Sequence, residues 1–305
     1  MDGETFALVL LAGAKWITYA GLIGLTGAVA VGGLSSSASR FVQPGDGIVE
    51  RRLGALAAGS AAFLLVGSAA RLYAQTWSVF GLDEPVTLEL VRVVGIDSRW
   101  GGRWQPQAGF AVLAAMAVPV WKRRPRAGWW IGASAVAGAW ITLPLTGHAM
   151  SFESRLPWVA QVAHGIGAGV WIGALAALVV VVSGLARQPA GHGRTPVLAG
   201  RFSPLAMVAV GVIALSGIVT AVLYVGAFAD LRTTGYGRVL LLKVFLFLAT
   251  GAIGAYNWRI LLPRLGSETG VGALLRSARL ELTLAAAVLL ATAVLVHLAI
   301  PSEME

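Results

Sequence analysis

The chain has 305 residues, of which 57% are hydrophobic and 12% are charged, whereas soluble domains average roughly 45 to 50% and 25%. One water-soluble core cannot hide so much apolar side chain, so the composition excludes a soluble globular protein. The net charge of +9 follows from basic residues between apolar segments, a pattern typical of membrane topology, and we expect no nucleic-acid partner. The absence of cysteine excludes disulfides and thiolate chemistry.

Apolar segments of about 20 residues recur along the chain, and this length crosses a hydrocarbon layer of ~30 Å as an α-helix. The mixed residues 80–103 allow a short interfacial helix before the third span. The sequence therefore predicts an all-α, polytopic transmembrane helical bundle in a lipid bilayer. The predicted spanning helices, about eight in number, cover residues 9–33, 53–76, 104–121, 127–148, 157–183, 203–228, 237–260 and 278–299.

We interpret residues 1–305 as a single integral membrane domain, with the first three helices in 1–126 and helices four to eight in 127–305. Basic residues in the loops indicate its orientation, because they are enriched on the cytoplasmic side of membrane proteins. Fourteen Lys and Arg residues fall in the first, third, fifth and seventh loops, and six fall on the opposite side. Both termini are therefore predicted to lie outside.

Three glycines repeat at every fourth position in the fifth predicted helix, at residues 165, 169 and 173. This spacing leaves one face of the helix nearly bare. Such faces let two helix backbones approach closely within a membrane. We expect this face to pack against a neighbouring helix.

Three of the four histidines are predicted in one outer layer. His148 ends the fourth helix, His164 begins the fifth, and His297 ends the eighth. Their imidazoles could converge if these helices are neighbours, and neutral imidazole is a common ligand of copper and zinc. Met150 adds a thioether, which favours copper in its cuprous form. The sequence predicts a metal site formed by these four residues, although each histidine alone could instead lie at the interface or hydrogen-bond a helix end.

Two other functions fit the same histidines. A haem b-binding redox subunit would use two of them as axial ligands, but His148 follows Pro144 at a helix end, whereas haem ligands usually lie well inside their helices. A non-catalytic subunit of a larger membrane complex is the third possibility. The chain contains no phosphate-binding loop, zinc-protease motif or serine triad with recognisable surroundings, so no enzyme is predicted unless bound haem supplies a redox role.

A series of short motifs lies between residues 127 and 265, namely Gly147-His148-Ala149, His164, Val170-Trp171-Ile172-Gly173, Arg201-Phe202-Ser203, Ser216-Gly217, Leu231 to Lys243, Asn257-Trp258-Arg259 and Pro263. In this order and spacing the motifs resemble the copper resistance protein D (CopD) family of bacterial inner-membrane proteins. The resemblance implies copper uptake from the periplasm into the cell, often with a small periplasmic copper-binding partner, CopC. It implies His148 and His164 as copper-contacting residues, and it includes Trp171 and Lys243 without a clear role. Because no CopC-like domain is fused here, we expect a separate protein to deliver copper.

Overall fold

A computed structural model of the protein describes residues 2–37, 47–186, 195–265 and 268–303. All regular secondary structure in these ranges is helical. The α-helices are α1 Gly3–Ser37, α2 Ile48–Phe80, α3 Leu88–Arg92, α4 Arg99–Arg123, α5 Pro125–Thr142, α6 Leu156–Ala168, α7 Ala174–Leu185, α8 Thr195–Tyr224, α9 Asp230–Thr233, α10 Gly235–Tyr256 and α11 Glu268–Leu295. Shorter elements are the π-helical turns Val93–Asp97, Gly169–Gly173 and Asn257–Leu261, and the 3₁₀ segments Leu143–Thr146, His148–Met150, Leu262–Arg264 and Pro301–Glu303.

Six helical segments in the described part of the chain are long and apolar enough to cross a membrane. The predicted all-α, polytopic helical bundle is thereby confirmed, and the protein is a multi-pass membrane protein. Helices α4 and α5 occupy the third and fourth predicted spans but are not among the six, and the total of about eight spans remains a prediction. The six segments are Gly3–Leu34, Ile48–Phe80, Leu156–Leu185, Thr195–Tyr224, Gly235–Arg264 and Gly270–Leu295.

Helix α5 ends earlier than the sequence predicted. It stops at Thr142 instead of residue 148, and two 3₁₀ segments follow it. Pro144 has no backbone N–H to continue the helix, and Gly147 is extended with φ −130° and ψ −176°. His148 therefore lies in a 3₁₀ segment beyond the helix, which corrects its predicted place at the helix end. A short helix within residues 80–103, α3, is present as expected.

Helix α1 is central in the bundle and packs closely against the turn that joins α6 to α7. A Cβ atom built on Gly173 would overlap the carbonyl oxygen of Ile23, and one built on Gly27 would overlap the backbone of Gly173. Gly169 lies against the side chain of Thr26 on α1, whose Oγ1 would be 2.9 Å from an added Cβ atom. The bare face predicted for the glycine repeat is confirmed at these two positions, whereas Gly165 faces the Trp140 ring.

The six segments differ in how much of their surface is buried within the bundle. Segment Leu156–Leu185 is the most enclosed of the six, with 61% of its most apolar stretch buried, whereas the corresponding value for Gly235–Arg264 is 6%. Helix α10 therefore lies at the periphery. Thr250 of α10 and Asn257 of the turn that follows it are buried polar residues, and both elements pack against α11.

Candidate metal centre

The first predicted ligands lie at the end of the bundle where α1 begins and α2 and α11 end, which we call the outer end. His148 is half-buried and Met150 is 39% exposed in the 3₁₀ segment after α5. Thr146, two residues before His148, accepts a hydrogen bond of 2.6 Å from Nη2 of Arg71 on α2. This bond ties the histidine-bearing segment to a rigid helix.

His297 lies two residues beyond the end of α11, with its ring against α1. The ring hydrogen-bonds with the backbone of Leu11, while its Nε2 atom is buried without a hydrogen-bond partner. The nitrogen that bonds to Leu11 is therefore Nδ1. Because the backbone carbonyl of Leu11 can only accept a hydrogen bond, Nδ1 carries the hydrogen. This arrangement leaves the lone pair on Nε2, as in histidines whose other nitrogen is oriented by a backbone carbonyl for metal binding.

His148 and His297 are close enough to interact electrostatically. Burial, which has the largest effect, together with Lys15, Arg71 and His148 lowers the pKa of His297 to about 3. The imidazole is therefore neutral at physiological pH, which is the form that binds metals. The structure thus brings together two of the three predicted histidine ligands.

The two cations beside this histidine pair are both buried, with Lys15 and Arg71 each 5% exposed. Arg71 donates hydrogen bonds to the neutral side chains of Gln107 and Thr146 and lies 5.9 Å from the centre of the Trp100 ring. Lys15 lies over the Tyr19 ring at 5.6 Å. The two cations give the outer end a positive field.

His164 makes a different set of contacts, deeper in the bundle. Its Nδ1 lies 3.2 Å from the Ile213 carbonyl oxygen and 3.2 Å from Oγ of Ser216, both on α8. Lys243 of α10 acts on it electrostatically. Because the Ile213 carbonyl can only accept, Nδ1 carries the hydrogen and Nε2 is again the basic nitrogen. The three elements that meet here are α6, α8 and α10.

The structure therefore does not gather all predicted ligands at one point. Within residues 2–37, 47–186, 195–265 and 268–303, no three or more His, Cys, Asp or Glu side chains are grouped so that they could hold a metal ion. His148 and His297 form a pair, and His164 is engaged with Ser216 on α8.

Sequence reasoning missed one ionisable residue inside the bundle. Glu281 of α11 is 2% exposed, and its carboxylate accepts hydrogen bonds from Asn257 and Trp171. An acidic residue within a predicted spanning helix is itself a signal of function. Glu281 lies within the eighth predicted span, residues 278–299, so its position in the sequence could have identified it as a candidate functional residue.

Comparison with known proteins identifies the family. The model for "Copper resistance protein D" matches residues 196–295, and the model for "Copper resistance protein D-like, N-terminal domain" matches residues 4–158. The chain belongs to the copper resistance protein D family. The resemblance inferred from the sequence motifs is confirmed, and the chain is a multi-pass membrane protein of this family.

A curated relative supports the same assignment. The chain is 32% identical over 218 residues to the copper transport protein CutJ of Bacillus subtilis (strain 168). The alignment covers 70% of this chain and 39% of CutJ, so the chain spans well under half the length of that relative. No solved structure matches the chain.

Proposed function

We propose that this protein carries copper inward across the bacterial inner membrane and receives it on the periplasmic side at His148 and His297. Met150 would serve as an exposed first ligand, and His164 as a further ligand deeper in the bundle. The observation that carries the proposal is the buried Nε2 of His297, which has no hydrogen-bond partner and lies beside His148. Copper is written here as the transported substrate.

The tautomer of the histidines supports metal capture. In both His164 and His297, Nδ1 is committed to a backbone carbonyl, so Nε2 presents its lone pair. Imidazole nitrogen binds copper well, and the flexible thioether of Met150 suits the cuprous ion. The 39% exposure of Met150 makes it accessible to an arriving copper ion or carrier.

The positive charges of Lys15 and Arg71 make this a weak site. A bound copper cation would be repelled by both side chains, which lowers its affinity. Transport requires binding that is strong enough for entry and weak enough for release. We propose that the two cations keep the outer site exchangeable and favour movement of copper away from it.

His164 is the next candidate ligand along the inward direction. It lies eight residues after Leu156, where its segment begins, or ~12 Å along the helix at ~1.5 Å per residue. Ser216 and Lys243 are each eight residues from the outer ends of their own segments, so the three side chains share one depth. A copper ion leaving the outer pair would meet this layer next.

Delivery of copper is proposed to involve a second protein. The family resemblance implies a periplasmic CopC-like copper-binding partner, and a larger membrane complex is the other possible assembly. The segment that carries His148 and the half-exposed Met150 would be the docking point. Binding of such a partner should therefore protect Met150 from oxidation by hydrogen peroxide.

Copper uptake into proteoliposomes tests this function directly. Variants H148A and H297A should each slow copper entry at least tenfold, because each removes one of two paired ligands. The matched control is H192A, since His192 lies outside the described residues and the sequence places it in a loop on the opposite side. Equal uptake by wild type and by both outer-end variants would contradict the proposal.

A further inference from the structure

A carboxyl group lies near the middle of the membrane-spanning part of α11. Glu281 is eleven residues from Gly270 and fourteen from Leu295, the two ends of its segment, or ~16 Å and ~21 Å at ~1.5 Å per residue. It is 2% exposed. An isolated carboxylate at this depth is costly, and such residues usually mark pathways for ions or protons.

Two π-helical turns supply the hydrogen-bond donors to this carboxyl group. Nδ2 of Asn257 donates to Oε2 of Glu281 at 2.9 Å, and the indole of Trp171 donates to the same carboxyl group. Asn257 opens the turn Asn257–Leu261, and Trp171 lies within Gly169–Gly173. Short π-helical turns inside α-helices are frequent at functional sites. Two family motifs with no role in the outer site thus meet at one carboxyl group.

An unsatisfied acceptor lies beside Glu281. The Oδ1 atom of Asn257 is buried without a hydrogen-bond partner, although the Nδ2 atom of the same amide is bonded to Glu281. An ionised carboxylate can only accept hydrogen bonds, whereas a protonated carboxyl group also donates one. A proton on Glu281 would therefore remove the buried charge and supply a donor next to an acceptor that lacks one.

A cavity gives this carboxyl group room and access. It has a volume of about 330 Å³ and lies between α7, α8, α10 and α11, with Glu281 and Asn257 in its wall. The remaining wall is mostly apolar and includes Phe202, Met207 and Trp258. Gly254 of α10 faces the carboxylate, since a Cβ atom there would lie 3.2 Å from Oε1.

No charged side chain in the described part of the chain acts on Glu281. Its interactions are burial and the hydrogen bonds from Asn257 and Trp171. Among the elements packed against α11, α1 carries Lys15 and α10 carries Lys243, and both act on the histidines nearer the outer end. The turns Asn257–Leu261 and Leu262–Arg264 also pack against α11 and carry Arg259 and Arg264, and neither arginine is among the groups that act on Glu281. A proton is therefore the charge that can neutralise Glu281 without a neighbouring cation.

We propose that Glu281, Asn257 and Trp171 form an intramembrane proton-binding site, in which the carboxyl group of Glu281 takes up and releases one proton during transport. The carboxylate and the proton combine to the neutral acid, and no other bond changes. Only the coupling of this proton to copper movement rests on the proposed function. The site itself stands on the hydrogen bonds, the burial and the cavity.

Dicyclohexylcarbodiimide provides the test, because this apolar reagent modifies protonated carboxyl groups in membrane surroundings. The purified full-length protein should be labelled at Glu281, faster at low pH than at high pH, as measured by mass spectrometry of peptides. E281Q should lose this label. Absence of labelling in folded wild type, or labelling of the same peptide in E281Q, would overturn the proposal.

Two further variants separate a functional site from a structural one. E281D keeps a carboxyl group and should retain pH-dependent labelling, which guards against a folding defect in E281Q. N257L removes a hydrogen bond that stabilises the ionised form, so labelling at neutral pH should become several-fold faster. An unchanged labelling rate in folded N257L would show that the amide does not control the proton on Glu281.

Copper distinguishes this site from the outer one. Labelling of Glu281 should be the same with and without one equivalent of copper in a protein whose transport is blocked by H297A. Protection of Glu281 by copper would make it a metal ligand and overturn the proton site. Labelling that follows the expected pattern while H148A and H297A leave copper uptake unchanged would refute the proposed function and leave the proton site intact.

Discussion

Removing the charge of Lys15 should strengthen copper binding at the outer end. Lys15 is buried beside His297, and its charge acts on that ring. At an effective dielectric constant of 20, two unit charges 4 Å apart repel by about 4 kcal/mol, and the repulsion falls in inverse proportion to their separation. Because 1.4 kcal/mol corresponds to a tenfold change, K15Q should bind a cuprous ion about tenfold more tightly.

Copper affinity in the K15Q experiment is measured by competition with a chelator of known affinity in detergent-purified protein. K15R is the matched control, since it retains the positive charge and the long side chain and should bind copper as the wild type does. Tighter binding in K15Q should also slow copper release and reduce the rate of uptake. Weaker binding in K15Q than in K15R would refute the reasoning, because it would mean that Lys15 supports the bound ion.

Two further perturbations test the support of the site and the packing of the bundle. T146V removes the hydroxyl that accepts a hydrogen bond from Arg71. Because hydrogen bonds to charged groups contribute roughly 1.5–3 kcal/mol, the affinity for copper should fall by a factor of about 10 or more. The control is T142V, which should not change the affinity because the Thr142 hydroxyl bonds within α5. G173A should lower stability by about 1–3 kcal/mol through overpacking against α1, whereas G211A, which has open space around the added methyl group, should not lower the melting temperature.

The bundle architecture could be predicted because it depends on composition along the chain. Apolar segments long enough to cross a bilayer specify helices almost without regard to packing. The sequence pattern predicts the end of α5 six residues too late, because the segment stays apolar past Pro144 and Gly147, which stop the helix. The side of the membrane on which both termini lie remains a prediction from the positive charges in the loops.

The candidate site could be predicted only in part, because sequence sets the depth of a side chain but not the direction in which its helix face points. His148, His164 and His297 were expected in one layer, and the structure pairs the first with the third. His164 instead faces α8, where Ser216 contacts its ring. Gly169 and Gly173 of the same segment pack against α1, and the glycine pattern that predicts a close approach does not specify which helix they meet.

Glu281 could have been predicted as a candidate, but its partners could not. A single acid in an apolar span is visible in the sequence. The π-helical turns that bring Asn257 and Trp171 towards it follow from tertiary packing and leave no simple sequence signal.

Metal analysis and an optical spectrum of the detergent-purified protein test whether the histidines of the outer end bind copper. After incubation with copper and removal of excess metal, we expect stoichiometric copper, no Soret band, and loss of one equivalent in the double variant of His148 and His297 to alanine. H192A should retain the full amount. A Soret band that disappears in the same double variant would contradict the account, because it would assign these histidines to haem b and make the protein an electron carrier.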